Sequence, residues 1–143
     1  NSFSLITVFQ TLEHVDDPAK LFSQAFDLLK PGGVLMVITH NYRHWLMRLL
    51  GRKSPIIDIE HLQLFSPASL RFTYEKNLFT NIKIQNLRNR YPLSYWFKLL
   101  PIPIVVKQPI LKSMNNGLLS SIGSLPIGMN VGNIVAFGYK SKK

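Results

Sequence analysis

The chain is 143 residues long and 46% hydrophobic, which fits one folded domain or a large piece of one. It contains no cysteine, which excludes disulfides and cysteine-based metal or nucleophile chemistry and favours a cytoplasmic location. Seventeen lysine and arginine residues against seven aspartate and glutamate residues give a net charge of +10, which attracts nucleic acid, anionic lipid or phosphorylated substrates without choosing among them.

A strand and a helix are predicted first. The segment from Leu5 to Phe9 is almost entirely apolar or β-branched, which predicts a strand buried on both faces of a parallel sheet, so we expect the chain to begin within a domain. Asp17-Pro18 combines an N-cap residue with one suited to the first helical turn. Apolar residues then recur at helical spacing, namely Leu21, Phe22, Ala25, Phe26 and Leu29.

A second strand follows this helix. The turn Pro31-Gly32-Gly33 is predicted to end the helix, with Lys30 at the negatively polarised end. Val34 to Ile38 is apolar throughout and is predicted to be a buried strand. Because a strand, a crossover helix and a strand in this order form a parallel βαβ unit, the predicted fold class is α/β.

Two further helices are predicted downstream. From Tyr42 to Lys53 the pattern predicts a basic amphipathic helix, whose basic face suits either solvent or an anionic membrane surface. Its apolar residues are Trp45, Leu46, Leu49 and Leu50, and its basic residues are Arg43, His44, Arg48, Arg52 and Lys53. Ser66-Pro67 caps the next helix, which is striped by Leu70, Tyr74 and Leu78.

The remainder alternates between strand signals and a proline-rich segment. Ile82 and Ile84 alternate with polar residues, which predicts a half-exposed strand, and residues 134–139 are predicted to form a late strand. Residues 90–129 should form short helices broken by turns, since they contain Pro92, Pro101, Pro103, Pro109 and Pro126. The most apolar stretch, residues 91–111, also carries two lysines and is not predicted to span a membrane.

Two strings carry a resemblance to a known family. Residues 3–18, FSLITVFQTLEHVDDP, and residues 28–35, LLKPGGVL, resemble the region from the fourth to the fifth strand of class I S-adenosylmethionine-dependent methyltransferases. The strings THN at 39–41 and HLQLFS at 61–66 follow in the order that this family shows. Residues 128–134 resemble, more loosely, the segment before the last strand in polysaccharide-modifying members. The resemblance covers most of residues 1–87.

The resemblance implies a Rossmann-like α/β sheet of seven strands, of which this chain supplies the fourth to the seventh, with the seventh antiparallel beside the fifth. It implies a partial methyltransferase domain made of residues 1–87 and 132–143. We expect the proline-rich residues 88–131 to form a lid-like insertion over the acceptor. The chain departs from the family where His40 interrupts the usual Thr-Pro-Asn and where Leu78 replaces a usual glycine. Asn77 is therefore expected to take the left-handed conformation.

The resemblance also implies site residues. Gln10, Thr11 and Leu12 would line the methionine end of S-adenosylmethionine, the alternative being a packing role in the turn after the strand. His14 is a candidate general base because an imidazole titrates near neutrality, although Glu13-His14 could instead orient the turn by hydrogen bonds. His61 is a second candidate, either contacting the acceptor or bonding to a nearby loop.

No metal ligand is predicted. Members that make quinone methyl ethers carry Glu at the position of Gln10, and that Glu, with the residues matching Glu13 and His14, is associated with a metal. Gln10 therefore argues against metal dependence in this chain. His40 and His44 are four residues apart, but Asn41 between them does not fit the H-E-x-x-H motif of metalloproteases.

The resemblance implies transfer of a methyl group from S-adenosylmethionine to a small-molecule, lipid-linked or sugar-linked acceptor, as part of a complete enzyme. Peripheral contact with a membrane is expected only on the membrane interpretation of the basic helix. The glycine-rich cofactor loop of the family is not found, since the eight glycines form neither a G-x-G-x-x-G nor a P-loop. The alternative is a truncated or degenerate fragment without catalytic activity, at most binding a partner or a membrane surface. Because no RNA-binding signature is present, a nucleic-acid substrate is not expected.

Overall fold

A computed structural model of the chain describes residues 2–54, 56–57, 59–100 and 102–142. The chain divides into two compact units, one formed by Asn1–Leu87 with Val131–Lys143 and the other by Arg88–Asn130. Pro101 of the predicted proline-rich segment lies outside the described residues, as does the side chain of Lys53 in the predicted basic helix. In the part of the chain that is described, no helix has the length and apolar character needed to cross a membrane.

Among its described residues, the first unit contains four strands, three helices and two short 3-10 turns. Its strands are β1 (Phe3–Phe9), β2 (Leu29–His40) and β3 (Thr80–Asn86), and a late strand that spans Asn133–Tyr139. Its helices are α1 (Pro18–Leu28), α2 (Trp45–Leu50) and α3 (Pro67–Lys76), and the 3-10 turns cover Leu12–His14 and Gly51–Lys53.

The described part of the second unit contains two short strands and three helices. In chain order these are β4 (Asn89–Pro92), α4 (Leu93–Leu99), α5 (Ile104–Asn116), α6 (Ser120–Gly123) and β5 (Pro126–Met129). The late strand of the first unit, Asn133–Tyr139, follows them in the chain and is named β6. β4 and β5 pair antiparallel, which the sequence did not predict. The predicted series of helices broken by turns is confirmed for α4 and α6, which are short. It is wrong at Pro109, which lies inside the 13-residue helix α5 and does not end it. Trp96 is buried in this unit and its Nε1 donates to the carbonyl of Ile127 at 2.8 Å.

The main sheet has the strand order β1-β2-β6-β3. β1 and β2 are parallel, while β6 lies antiparallel between β2 and β3. This confirms both the predicted βαβ unit and the predicted antiparallel insertion of the last strand beside the fifth strand of the family.

The core lies where α1 and α3 pack against the sheet. Tyr74 of α3 is fully buried and meets the Phe22 ring edge-on with a centroid distance of 4.7 Å. The carbonyls of Leu35 and Ala136 share its single hydroxyl hydrogen, at 3.1 and 3.2 Å from the oxygen. The hydroxyl donor therefore has partners on β2 and β6 even though it is removed from water. Burial of the Tyr74 phenol raises its pKa well above the ordinary value.

The predicted burial of β1 on both faces is wrong. Ile6 and Val8 point toward the core, but Phe3, Leu5 and Phe9 each expose about half of their side chains. The reason is that β1 pairs with β2 alone among the described residues, so its outward face and its second edge have no covering layer. Apolar composition predicts a strand but does not reveal how many neighbours cover it.

The ends of α1 and α2 also differ from the predictions. Asp17 accepts a hydrogen bond from the Lys20 amide at 3.0 Å, as expected of an N-cap. However, α1 ends at Leu28 and β2 begins directly at Leu29, so the glycine turn lies within the strand and does not end the helix. α2 has six residues, and its one buried side chain is Met47, whereas the predicted apolar residues Trp45 and Leu49 are 65% and 75% exposed.

The helix predicted at Ser66 is confirmed, with a difference at its end. Ser66 accepts a hydrogen bond from the Ser69 amide and forms a capping box with it. The left-handed conformation falls on Leu78, at φ +64°, and not on Asn77, at φ −100°. Leu78 is 70% exposed and is therefore not part of the apolar stripe.

Candidate functional site

Polar side chains converge at the carboxyl ends of β1 and β2. Gln10 follows β1 directly and has φ +49°, and its main-chain N–H donates to the carbonyl of Ile38 at 2.9 Å. This left-handed residue turns the chain from the strand into the 3-10 turn Leu12–His14. In open α/β sheets, the crevice outside the carboxyl ends of parallel strands is where ligands bind.

The carboxylate of Glu13 is deeply buried at this edge. Glu13 is 2% exposed, and its Oε2 accepts a hydrogen bond from Thr39 Oγ1 at 3.0 Å. Its Oε1 has no hydrogen-bond partner among the described residues. A buried carboxylate oxygen without a hydrogen-bond partner loses its hydration without compensation, which costs free energy. Such an atom is unusual in a folded protein and indicates that a ligand could satisfy it.

His40 faces that oxygen from the end of β2. Its Nε2 lies 3.7 Å from Glu13 Oε1, and its Nδ1 lies 2.7 Å from Oδ1 of Asn133. Since an amide oxygen only accepts, Nδ1 carries the hydrogen and Nε2 of the neutral ring presents its lone pair toward Glu13. Asn133 is buried and sits opposite His40 in the β2 to β6 register.

The segment before α3 brings two more imidazoles to the edge. Its attachment includes a hydrogen bond from the Gln63 amide to the carbonyl of Glu13 at 3.2 Å. His14 donates from Nδ1 to the carbonyl of Glu60 at 2.7 Å. The His61 ring lies 4.7 Å from the His14 ring and 5.7 Å from the His40 ring, measured between centroids. Three histidines and one carboxylate thus form a single cluster.

Part of this cluster has the composition of a metal-binding site. One ligand atom each from Glu13, His40 and His61 lies within 4.8 Å of the others. The sequence predicted no metal ligands, whereas the fold brings these three side chains together. His44 lies apart from the cluster at the start of α2, where its Nδ1 accepts from the Leu46 amide and burial lowers the pKa of the imidazole.

The three residues predicted to line the cofactor have different surroundings. Gln10 and Thr11 are exposed, and the Thr11 hydroxyl donates to the carbonyl of Phe9 at 2.8 Å. Leu12 is fully buried in the hydrophobic core and exposes no surface to a ligand. The assignment of these residues to the cofactor stays a prediction, as do the roles assigned to His14 and His61.

Sequence reasoning did not connect His40, Thr39 and Asn133 with Glu13. The one available signal was that His40 interrupts a Thr-Pro-Asn string that the family usually has. His40 and Asn133 are 93 positions apart, and their contact depends on the insertion of β6 beside β2. Thr39 is buried within a strand and resembles an ordinary β-branched residue in the sequence.

Comparison with known proteins identifies the class to which this fold and site belong. A family of methyltransferase domains has a sequence profile that matches residues 1–84, which is more than half of the chain. The chain therefore belongs to this methyltransferase family, and S-adenosylmethionine is the cofactor of the class.

The curated relatives that resemble the chain in sequence match only part of its length. The chain is 41% identical over 51 residues to the ubiquinone biosynthesis O-methyltransferase of Psychrobacter cryohalolentis, a match covering 34% of this chain and 20% of that protein. It is 29% identical over 104 residues to the protein of the same name from Coxiella burnetii, covering 64% of this chain and 44% of that protein. The matches thus span less than half the length of these relatives.

Solved structures share the fold. A SAM-dependent methyltransferase from Thermotoga maritima superimposes with a TM-score of 0.59 at 20% identity, covering 98% of this chain and 57% of that protein. The phosphoethanolamine N-methyltransferase 2 of Haemonchus contortus, solved with S-adenosyl-L-methionine, gives a TM-score of 0.52 at 15% identity, covering 97% and 33%. At these identities the likeness concerns the fold alone.

Proposed function

We propose that this chain forms the acceptor side of an S-adenosylmethionine-dependent methyltransferase acting on a small-molecule, lipid-linked or sugar-linked acceptor. The observation that carries the proposal is the gathering of Gln10, Glu13, His14 and His61 at the carboxyl ends of the parallel strands β1 and β2, in a chain that belongs to the methyltransferase family. The cytoplasmic location expected from the sequence is part of the proposal.

The chain offers part of a cofactor site. When bound, S-adenosylmethionine supplies an electrophilic methyl group, and its transfer requires an acceptor atom in line with that group. Gln10 and Thr11 fit the end of such a ligand because both are exposed directly after β1. The eight glycines of the chain form no cofactor loop, so we propose that these residues work within a longer enzyme that contributes one.

His14 is the residue best placed to accept a proton from the acceptor. Its Nδ1 donates to the Glu60 carbonyl, which holds the ring in the tautomer whose Nε2 has a free lone pair. The residue is exposed, so that lone pair is accessible to a bound molecule. A positioned base of this kind contributes a factor of about 10² to 10⁴ in rate when the acceptor loses a proton in the transition state.

A greasy acceptor fits two observations. The relatives from Psychrobacter cryohalolentis and Coxiella burnetii are named for ubiquinone biosynthesis. The second unit exposes apolar side chains along the start of α5, with Ile104, Val105 and Val106 each more than half exposed. We propose that these side chains favour an apolar or lipid-attached acceptor. That this unit acts as a lid stays a prediction.

The test is calorimetric titration of two proteins with S-adenosylmethionine. One is this 143-residue chain, and the other is the chain extended upstream through any reading frame that encodes a glycine-rich loop. Binding by the extended form, weakened in Gln10→Ala, supports the proposal. In that form His14→Gln should lower kcat by about 10²-fold or more while S-adenosylmethionine affinity is kept. An absence of binding in both proteins would favour the non-catalytic fragment.

A second candidate role is contact with an anionic membrane surface, favoured by the exposed residues of α2. Trp45 and Leu49 lie one helical turn apart and are 65% and 75% exposed, and the basic residues Arg43 and Arg48 are exposed beside them. Tryptophan and leucine next to arginine suit the boundary between headgroups and acyl chains. This contact would serve the enzyme, or it would be the whole function of a non-catalytic fragment.

Vesicle binding tests this role. The chain should cosediment with vesicles containing phosphatidylserine and not with pure phosphatidylcholine vesicles, and binding should weaken as salt rises. Trp45→Ala and Leu49→Ser should reduce binding, while Phe72→Ala, which removes an exposed aromatic side chain from α3, should leave it unchanged. Equal binding to neutral vesicles, or equal loss in the Phe72 variant, would contradict a specific role of α2.

A further inference from the structure

We propose that Glu13, His40 and His61 form a binding site for a divalent transition-metal ion such as Zn²⁺. A carboxylate and two imidazoles are a set of oxygen and nitrogen ligands that zinc and other first-row transition ions accept. The three ligand atoms come from the turn after β1, the end of β2 and the segment before α3, and they lie within 4.8 Å of one another.

The buried oxygen of Glu13 is the first independent observation that points to a cation. Glu13 is 2% exposed, and its Oε1 has no hydrogen-bond partner among the described residues although Oε2 is held by Thr39. The gap of 3.7 Å to His40 Nε2 is too long for a hydrogen bond between nitrogen and oxygen. A cation between the two atoms would satisfy both at once.

Support from neighbouring residues is the second observation. Asn133 accepts from Nδ1 of His40, so Nε2 is the nitrogen left to bind a metal, and Thr39 orients the carboxylate in the same way through Oε2. Hydrogen bonds from outside the ligand set that fix the tautomer and orientation of the ligands are a regular feature of metal sites. Both supporting side chains are buried, as a preorganised site requires.

The distances require only a small contraction. Ligand atoms about 2.0 to 2.1 Å from a tetrahedral zinc ion lie about 3.3 to 3.4 Å from one another. The separation of 3.7 Å between Glu13 Oε1 and His40 Nε2 is close to this value. The three ligand atoms lie within 4.8 Å of one another, so a side-chain rotation of His61 would bring its ring nitrogen to the other two. Three protein ligands leave a coordination position open for water or an acceptor atom.

The ligand set differs from the metal-associated positions of the members that make quinone methyl ethers. Those positions match Gln10, Glu13 and His14, and Gln10 is not the Glu that those members carry. In the structure, His14 directs its Nδ1 to the carbonyl of Glu60, and His40 supplies the nitrogen nearest to the orphan oxygen. The site therefore depends on the residue that departs from the usual Thr-Pro-Asn string.

The test is titration of the untagged 143-residue chain with Zn²⁺ by calorimetry and with Co²⁺ by visible absorption, neither of which requires methyl transfer. One equivalent should bind, and Co²⁺ should show the d–d bands of a four- or five-coordinate site. Glu13→Gln, His40→Gln and His61→Gln should each weaken binding by at least about 100-fold, and Asn133→Ala by about 10- to 100-fold. His44→Gln is the matched control and should bind as the original chain does.

A measurement on the unsubstituted chain covers the case in which a variant fails to fold. Zn²⁺ should shift the imidazole NMR resonances of His40 and His61 and leave those of His44 in place. The absence of stoichiometric binding, shifts confined to His14 and His44, or equal weakening in His44→Gln would overturn the proposal. Methyltransferase activity has no part in these readouts, so the two proposals fail independently.

Discussion

Nδ1 of His40 donates a hydrogen bond of 2.7 Å to Oδ1 of Asn133, a residue 93 positions away in the chain. The bond assigns the tautomer of a half-buried imidazole whose other nitrogen faces Glu13. We expect long-range ¹H–¹⁵N NMR spectra of the neutral ring to show the Nδ1–H tautomer, and Asn133→Ala to return the ring to a tautomer mixture. An Nε2–H tautomer in the unsubstituted chain would contradict the structure.

A second prediction concerns Gly138 of β6, which lies under the Tyr74 ring. A Cβ at this position would come within 2.5 Å of the ring atom Cε1 of Tyr74. Gly138→Ala should therefore lower the free energy of unfolding by about 1 to 3 kcal/mol, the usual range for overpacking, as measured by urea denaturation. In a Tyr74→Leu background, Gly138→Ala should lower the free energy of unfolding by less than it does in the original chain, because the ring that the new Cβ meets is absent. Additive effects of the two changes would argue against the contact.

A third prediction concerns the left-handed Leu78. A side chain at φ +64° meets the following carbonyl, which costs about 1 to 2 kcal/mol, and Leu78 is 70% exposed, so little burial is lost with its side chain. Leu78→Gly should raise the free energy of unfolding by about 0.5 to 1 kcal/mol after the entropy of glycine is subtracted. Arg71→Gly in α3 is the control and should lower it by about 1 kcal/mol.

A fourth prediction concerns pH. Burial lowers the pKa of His44 below its ordinary value, so between the folded and the unfolded pKa the unfolded chain binds more protons. The contribution of His44 to stability is complete above the unfolded pKa of about 6.5 and is lost as the pH falls through the folded pKa. His44→Gln should therefore lose less stability than the original chain between about pH 7.5 and about pH 5.5. Equal losses in urea titrations would contradict the lowered pKa.

A fifth prediction concerns the outer side of β1. Leu5 and Phe9 are 54% and 53% exposed on a strand with one partner among the described residues, and such an apolar edge promotes pairing between copies. The 143-residue chain should therefore self-associate with rising concentration in light scattering, and Leu5→Lys should suppress this. Leu62→Lys, at an equally exposed position outside the strands, should not. A monomer at all concentrations would show that the edge is harmless.

Local sequence patterns predicted most of the elements because the forces involved act over a few residues. Asp17 and Ser66 cap their helices through amides three positions away. The alternation of Ile82 and Ile84 was visible directly, and both side chains are half-buried on β3. The end of α1 could not be predicted as well, because Leu29 fits the helical stripe and a buried strand equally, and its place in β2 depends on pairing with Phe3.

The sequence by itself determined the class of this protein, since the strings around Glu13 and Pro31 identify the methyltransferase family and its strand order. Only the tertiary structure decided which side chains meet at the edge of the sheet. It placed Thr39, His40 and Asn133 around one buried carboxylate and left β1 exposed. The physical reason is that hydrogen bonds and burial depend on which strands become neighbours, and sheet pairing joins residues whose separation in the chain carries no periodic signal.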